Sequence, residues 1–137
     1  MKKKWEVVLQ KINIQFSPTT AGKKKIERKQ KLYTVLKEKI GKDLEKIQTR
    51  SINQNLFVNV HYYLLKSEDV GSSKKDLDNL LKILFDVLSV NMVNGQKPIN
   101  GLGIMRDDSA IEKIECEKTE VISPEKVGLS LMISKKA

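Results

Sequence analysis

The sequence is most informative first in what it lacks. One cysteine, Cys116, among 137 residues excludes an internal disulfide and any cysteine-rich zinc site, and fits a reducing compartment. One histidine, His61, sits inside a strand-like run, and nothing in the sequence places Cys116 beside it. A Ser-His-Asp or Cys-His mechanism therefore has little to stand on. No apolar run approaches the ~20 residues needed to cross a bilayer. Met1-Lys2-Lys3-Lys4 resembles the start of a secretion signal, but Glu6, Gln10 and Lys11 follow where an apolar segment belongs. The expectation is a soluble cytoplasmic protein with no membrane partner. Acid is also scarce: 17 Asp and Glu stand against 26 Lys and Arg, a net charge of +9. That surplus on a chain of single-domain length points to a polyanionic partner.

What is present falls into periodic segments. Trp5–Ile14 alternates imperfectly and predicts a strand. From Lys23 to about Thr49, Ile26, Tyr33, Leu36, Ile40, Leu44 and Ile47 form one helical stripe, with Gly41 marking a break. Leu56–Leu65 is a strand apolar on both faces, hence central. The polar stretch 66–75 reads as a loop. Asp76–Ser89 then carries Leu77, Leu80, Leu81, Leu84 and Leu88 at clean helical spacing. Asn94-Gly95, Pro98 and Asn100-Gly101 make 91–102 a loop or a small hairpin. Ile111–Lys118 and Val127–Ile133 are two further strands. The order β-α-β-α-β-β predicts one α/β (α+β) domain over 1–137, a mixed sheet with helices mainly on one face.

The positive charge is concentrated. Residues 21–50 hold eleven basic residues and four acidic ones, a surplus of seven. Taken alone this is a solvated helix face or a phosphate-tracking surface, and Lys23, Lys24, Lys25 and Arg28 are its foremost DNA contacts on the second reading. Membrane binding fits less well, because the apolar stripe is committed to a core and carries no Trp or Phe anchor.

Against this background two acidic groups stand out. Asp76 and Asp78 open the second helix with Lys82 one turn on, and Asp107-Asp108-Ser109 precedes the third strand. Each has a plain explanation alone: helix capping, an i,i+4 pair extending to Asp86, or a turn. Together they offer the hard oxygen ligands that magnesium prefers. Phosphodiester cleavage needs a metal to make hydroxide near neutral pH and a cation to meet developing negative charge. Lys82 is placed to be that cation.

The run Lys75-Asp76-Leu77-Asp78-Asn79-Leu80-Leu81-Lys82, then Phe85-Asp86-Val87-Leu88, then Gly103-Ile104-Met105-Arg106-Asp107-Asp108-Ser109, resembles the RusA family of Holliday-junction resolvases. The likeness covers roughly 74–118 and rests on both blocks occurring in order. It implies a RusA-like fold and a magnesium-dependent endodeoxyribonuclease that nicks four-way DNA junctions as a homodimer, with no small-molecule cofactor. It further implies that Asp76, Asp78 and Asp108 hold Mg²⁺, that Lys82 is the active-site lysine, that Asp107 is a neighbouring acid of lesser role, and that Asp86 is structural. Lys74, Lys75 and Arg106 flank these blocks as further DNA contacts. Two features depart from the family: Phe16-Ser17-Pro18-Thr19-Thr20 retains little of its Pro-rich segment, and the stretch between Leu88 and Gly103 is longer. Two rival readings remain beside it. One is a non-catalytic nucleic-acid-binding module whose carboxylates merely cap a helix; the other is a protein whose basic helix binds an acidic protein partner.

Overall fold

Period-two and period-3.6 patterns each end where the chain changes direction. The computed structural model describes residues 4–15, 25–65, 73–92 and 99–137. β1 (Trp5–Gln15) is followed by α1 (Lys25–Ile40), a 3-10 turn (Gly41–Asp43) and α2 (Leu44–Ser51). β2 (Leu56–Leu65) leads to α3 (Ser73–Leu88), then to the short strands β3 (Asn91–Met92) and β4 (Ile99–Asn100). A 3-10 turn (Asp108–Ala110) enters β5 (Ile111–Val121), and β6 (Gly128–Lys136) closes the order.

The expected helical stripe over 23–49 is real but broken at the expected residue. Gly41 adopts φ +61°, a left-handed conformation that costs a side-chain-bearing residue about 1–2 kcal/mol. The turn redirects the chain so that α1 buries Leu32, Leu36 and Ile40 while α2 buries Ile47 and Ser51. The second helix begins at Ser73, earlier than the expected Asp76. The loop-or-hairpin of 91–102 is a hairpin: β3 and β4 pair antiparallel, Asn91 opposite Asn100.

The main sheet has the order β1-β6-β2-β5. β2 and β5 run parallel and the other pairs antiparallel, so the sheet is mixed and β2 is internal, as its two apolar faces predicted. A parallel pair needs a crossover, and α3 supplies it between β2 and β5. Val58, Val60 and Tyr62 of β2 and Leu129, Leu131 and Ile133 of β6 are buried under the helices with Leu80, Leu84, Val87 and Leu88 of α3. The alternate residues Phe57, Asn59, His61 and Tyr63 stay half-exposed on the other face. This is an α+β fold with its helices on one side. Tyr62 reaches from the sheet to α3, its hydroxyl donating to the Leu80 carbonyl oxygen at 3.1 Å, and burial holds its pKa far above the ordinary phenol value. Among the described residues no helix is long and apolar enough to cross a membrane.

Candidate functional site

The crossover fixes where each acidic group falls. α3 descends from the carboxyl end of β2 to its amino end, because Tyr62, late in β2, contacts Leu80 in the middle of α3, while Val87 and Leu88 at its end meet the segment that leads into β5. At the far end the chain turns back tightly: the amide of Leu102 donates to the Val87 carbonyl and that of Ile104 to the Leu88 carbonyl, at 2.7 and 2.9 Å. Gly101 is required there, since a β-carbon would overlap the Ser89 carbonyl oxygen. The segment then feeds β5, whose Ile111 pairs with Leu56 at the opposite end of β2 from α3's start.

Asp78 and Lys82 are exposed one helical turn apart on α3, with the apolar stripe of Leu80, Ile83, Leu84 and Val87 anchoring the other side of the helix. Asp107 and Asp108 sit together, both exposed, on the turn into β5. Asp107 caps that turn: its carboxylate accepts from the Ser109 amide at 2.8 Å and from the Ser109 hydroxyl. Those bonds favour the ionised form and hold the Asp107 pKa below the ordinary carboxylate value. Asp108 carries no such duty and stands open to solvent.

Asp78 lies on α3 and Asp108 on the turn into β5, two segments joined by the return after Leu88. From Asp78 to Leu88 is about 15 Å along a helix rising 1.5 Å per residue, and Met105 lies beside Leu88, its amide donating to the Leu88 carbonyl. The chain then moves onward, Arg106 Nε donating to Asn53 Oδ1 at 2.9 Å, before Asp108 appears. Among the described residues no group of three His, Cys, Asp or Glu side chains is arranged to hold a metal ion. Asp78 and Asp108 have the oxygen chemistry that magnesium takes. The side chains of Asp76, Lys74, Lys75, Lys25 and Arg28, and Lys23 and Lys24 altogether, lie outside the described residues, as does the segment 16–20.

Other residues singled out by type find partners. Asp86 pairs across the helices with Lys29 of α1, Nζ to Oδ2 at 2.7 Å, so Lys29 is buried in the helix packing rather than part of an open basic face. His61 lies on the open sheet face, stacked on Tyr63 and 2.6 Å from the Thr119 hydroxyl. Cys116 pairs in register with Val60 and therefore points to the opposite face from His61, so a Cys-His pair is excluded by strand parity. Burial, helped by the Glu117 charge, raises the Cys116 thiol pKa and makes it a poor nucleophile.

Three residues that composition did not single out position the Asp107-Asp108 turn. Gln48 Nε2 donates to the Leu102 carbonyl at 2.6 Å, Ser51 Oγ lies 2.7 Å from the Ile104 carbonyl, and Asn53 takes the Arg106 bond. Ser51 was findable: it follows Ile40, Leu44 and Ile47 at core-facing spacing, and a hydroxyl there needs a buried partner. A scan against protein-family models and a search of curated proteins return no match to this chain.

Proposed function

We propose that this chain is a magnesium-dependent endodeoxyribonuclease of the RusA type, acting on branched DNA in the cytoplasm. The supporting observation is the pairing of exposed Asp78 with exposed Lys82 on a helix otherwise committed to the core, together with an exposed Asp108 on a turn pinned by Asp107, Gln48 and Ser51. A protein of net charge +9 has no electrostatic need for exposed carboxylates on a surface that meets phosphate, and a metal-binding role explains them. Lys82 would hold a phosphate oxygen beside the scissile bond, as a compact cation does. Asp78 and Asp108 would supply the oxygen donors for magnesium.

A second reading is a nucleic-acid-binding module of the same fold without catalysis, in which the carboxylates serve local structure as Asp107 does in its turn. A nicking assay separates the two. A synthetic four-way junction should be cut when magnesium is added and left intact with chelator, and linear duplex of the same sequence should be cut far less. Junction binding without cutting at any magnesium concentration would remove the nuclease reading and leave the binding module.

A further inference from the structure

The sheet face opposite the helices carries much of the chain's scarce aromatic content. Aromatic residues are 5% of the sequence, and Trp5 is its single tryptophan. Such rings contribute most to stability when buried in a core, yet among the described residues Tyr62 alone of them is fully buried. Trp5, Phe57 and Tyr63 stand half-buried on the open face, together with His61. Trp5 meets Phe57 across β6, with ring centroids 5.6 Å apart and planes tilted by 57°. Further along β2, His61 and Tyr63 stack face to face at 4.4 Å. β6 runs between β1 and β2 and turns Gly128, Ser130, Met132 and Ser134 to this side, so the floor beside the rings is low.

Cations flank the ring pair. Lys113 Nζ lies 4.8 Å over the Phe57 ring, and Lys136 stands opposite Trp5 in the strand register. Their acidic partners are Glu115 at 3.7 Å and Glu112 at 2.8 Å, with all four side chains well exposed. Solvated pairs of this kind are weak, so both ammonium groups can turn to a phosphate at little cost. A protein partner asks for a dry apolar centre. Beside Trp5 and Phe57 the register instead places Ser134, Asn59, Lys113 and Lys136, with Val7 the one branched aliphatic side chain. Exposed rings between ammonium groups, on a chain of net charge +9, suit an unpaired nucleotide: the base takes the ring face and its phosphate takes the cation.

We propose that the open sheet face binds single-stranded DNA, with an unpaired base stacked on the Trp5–Phe57 pair and its phosphates held by Lys113 and Lys136. The stacking site stands on the rings and their flanking charges. The choice of DNA over RNA rests on the nuclease reading given above, since branched DNA exposes unpaired bases where its arms part. The turn carrying Asp108 enters β5 at Ile111, which pairs with Leu56, so the turn and the Phe57 ring lie toward the same end of the sheet. A branch point at that end leaves an unpaired base within the span of the sheet face, while the duplex arms stay on the basic helices.

Because Trp5 is the only tryptophan, its emission reports the site directly. With chelator present, so that no strand is cut, a short oligothymidylate should quench that emission to saturation, and a blunt duplex should not. Anisotropy of the labelled oligonucleotide then reads the variants. Phe57→Leu should weaken binding about tenfold, as loss of one stacked base does, and Phe57→Tyr should keep it. Lys113→Gln and Lys136→Gln, both at exposed positions, should each lower the salt slope by about 0.7, the loss of one phosphate contact on a single strand. Emission unmoved by oligothymidylate, equal quenching by duplex, or affinity and slope indifferent to all these variants overturns the proposal. Tighter binding of oligouridylate than of oligothymidylate overturns the choice of DNA. A chain that binds oligothymidylate through these residues yet never nicks a junction loses the nuclease reading and keeps the stacking site. One that nicks junctions while single strands leave Trp5 unmoved keeps the nuclease reading and loses the stacking site.

Discussion

Asp107 and Asp108 are adjacent in sequence and chemically alike, yet one is tied into a turn and the other is open. The Ser109 bonds favour Asp107 ionised, so its folded pKa lies below its unfolded one. Its contribution to stability is therefore present above the unfolded value and lost as pH falls through the lower folded value. A carbon-detected titration should show Asp107 losing its charge below the ordinary carboxylate range, and Ser109→Ala should move its midpoint upward. An Asp107 midpoint unmoved by Ser109→Ala would refute the capping role. Asp78 is the converse case, an exposed acid with a proposed catalytic duty. Asp78→Asn should cut junction nicking by at least a hundredfold while leaving binding equal or tighter, because it removes a donor and a negative charge together. Wild-type turnover in that variant, read on the four-way junction, would sink the assignment.

At the scale of elements, the tight return of the chain onto the end of α3 decides where β5 begins. Gly101→Ala should lower the midpoint of urea unfolding by the equivalent of about 1–3 kcal/mol, as overpacking against backbone does. The β-carbon would meet the Ser89 and Val87 carbonyls, neither of which can move without uncapping the helix. An unchanged midpoint would show that the return is looser than the hydrogen bonds indicate. Elements of this kind were readable because their periodicity is local: the stripe of α3, the alternation of β6 and the break at Gly41 are each set by a few neighbouring residues. The direction in which α3 runs between β2 and β5 is not local. It depends on β2 and β5 being parallel, and no spacing within Ile111–Val121 distinguishes a parallel partner from an antiparallel one. That is why Asp78 and Asp108 could be picked out by type and still not be placed relative to each other. The Lys29–Asp86 pair is likewise beyond local spacing, its two members lying on different helices.

The whole molecule carries its positive charge where the acids are few. Affinity for DNA should fall log-linearly with salt, with a slope set by the phosphates neutralised, and charge reversal at Lys24, Lys25 and Arg28 should flatten it. A slope unchanged by that triple substitution, measured by fluorescence anisotropy between about 50 and 200 mM salt, would move the contacts elsewhere, with Lys74 and Lys75 next to test. The sheet order also has a temporal side. Among the described residues β1 pairs with no strand except β6, Gln15 lying opposite Gly128 and Trp5 opposite Lys136. β1 is made well before β6 and therefore waits for it, and closing so long a loop is the most entropically costly pairing in this sheet. Until then Val8, Leu9 and Ile14 have no sheet to join. Throughout synthesis the nascent chain displays an unclosed, partly apolar segment, the kind of surface that holding chaperones bind and that crowded polysomes aggregate. The burden of that late-closing pair falls on the interval between the making of β1 and the making of β6, on the order of ten seconds at ordinary rates of synthesis.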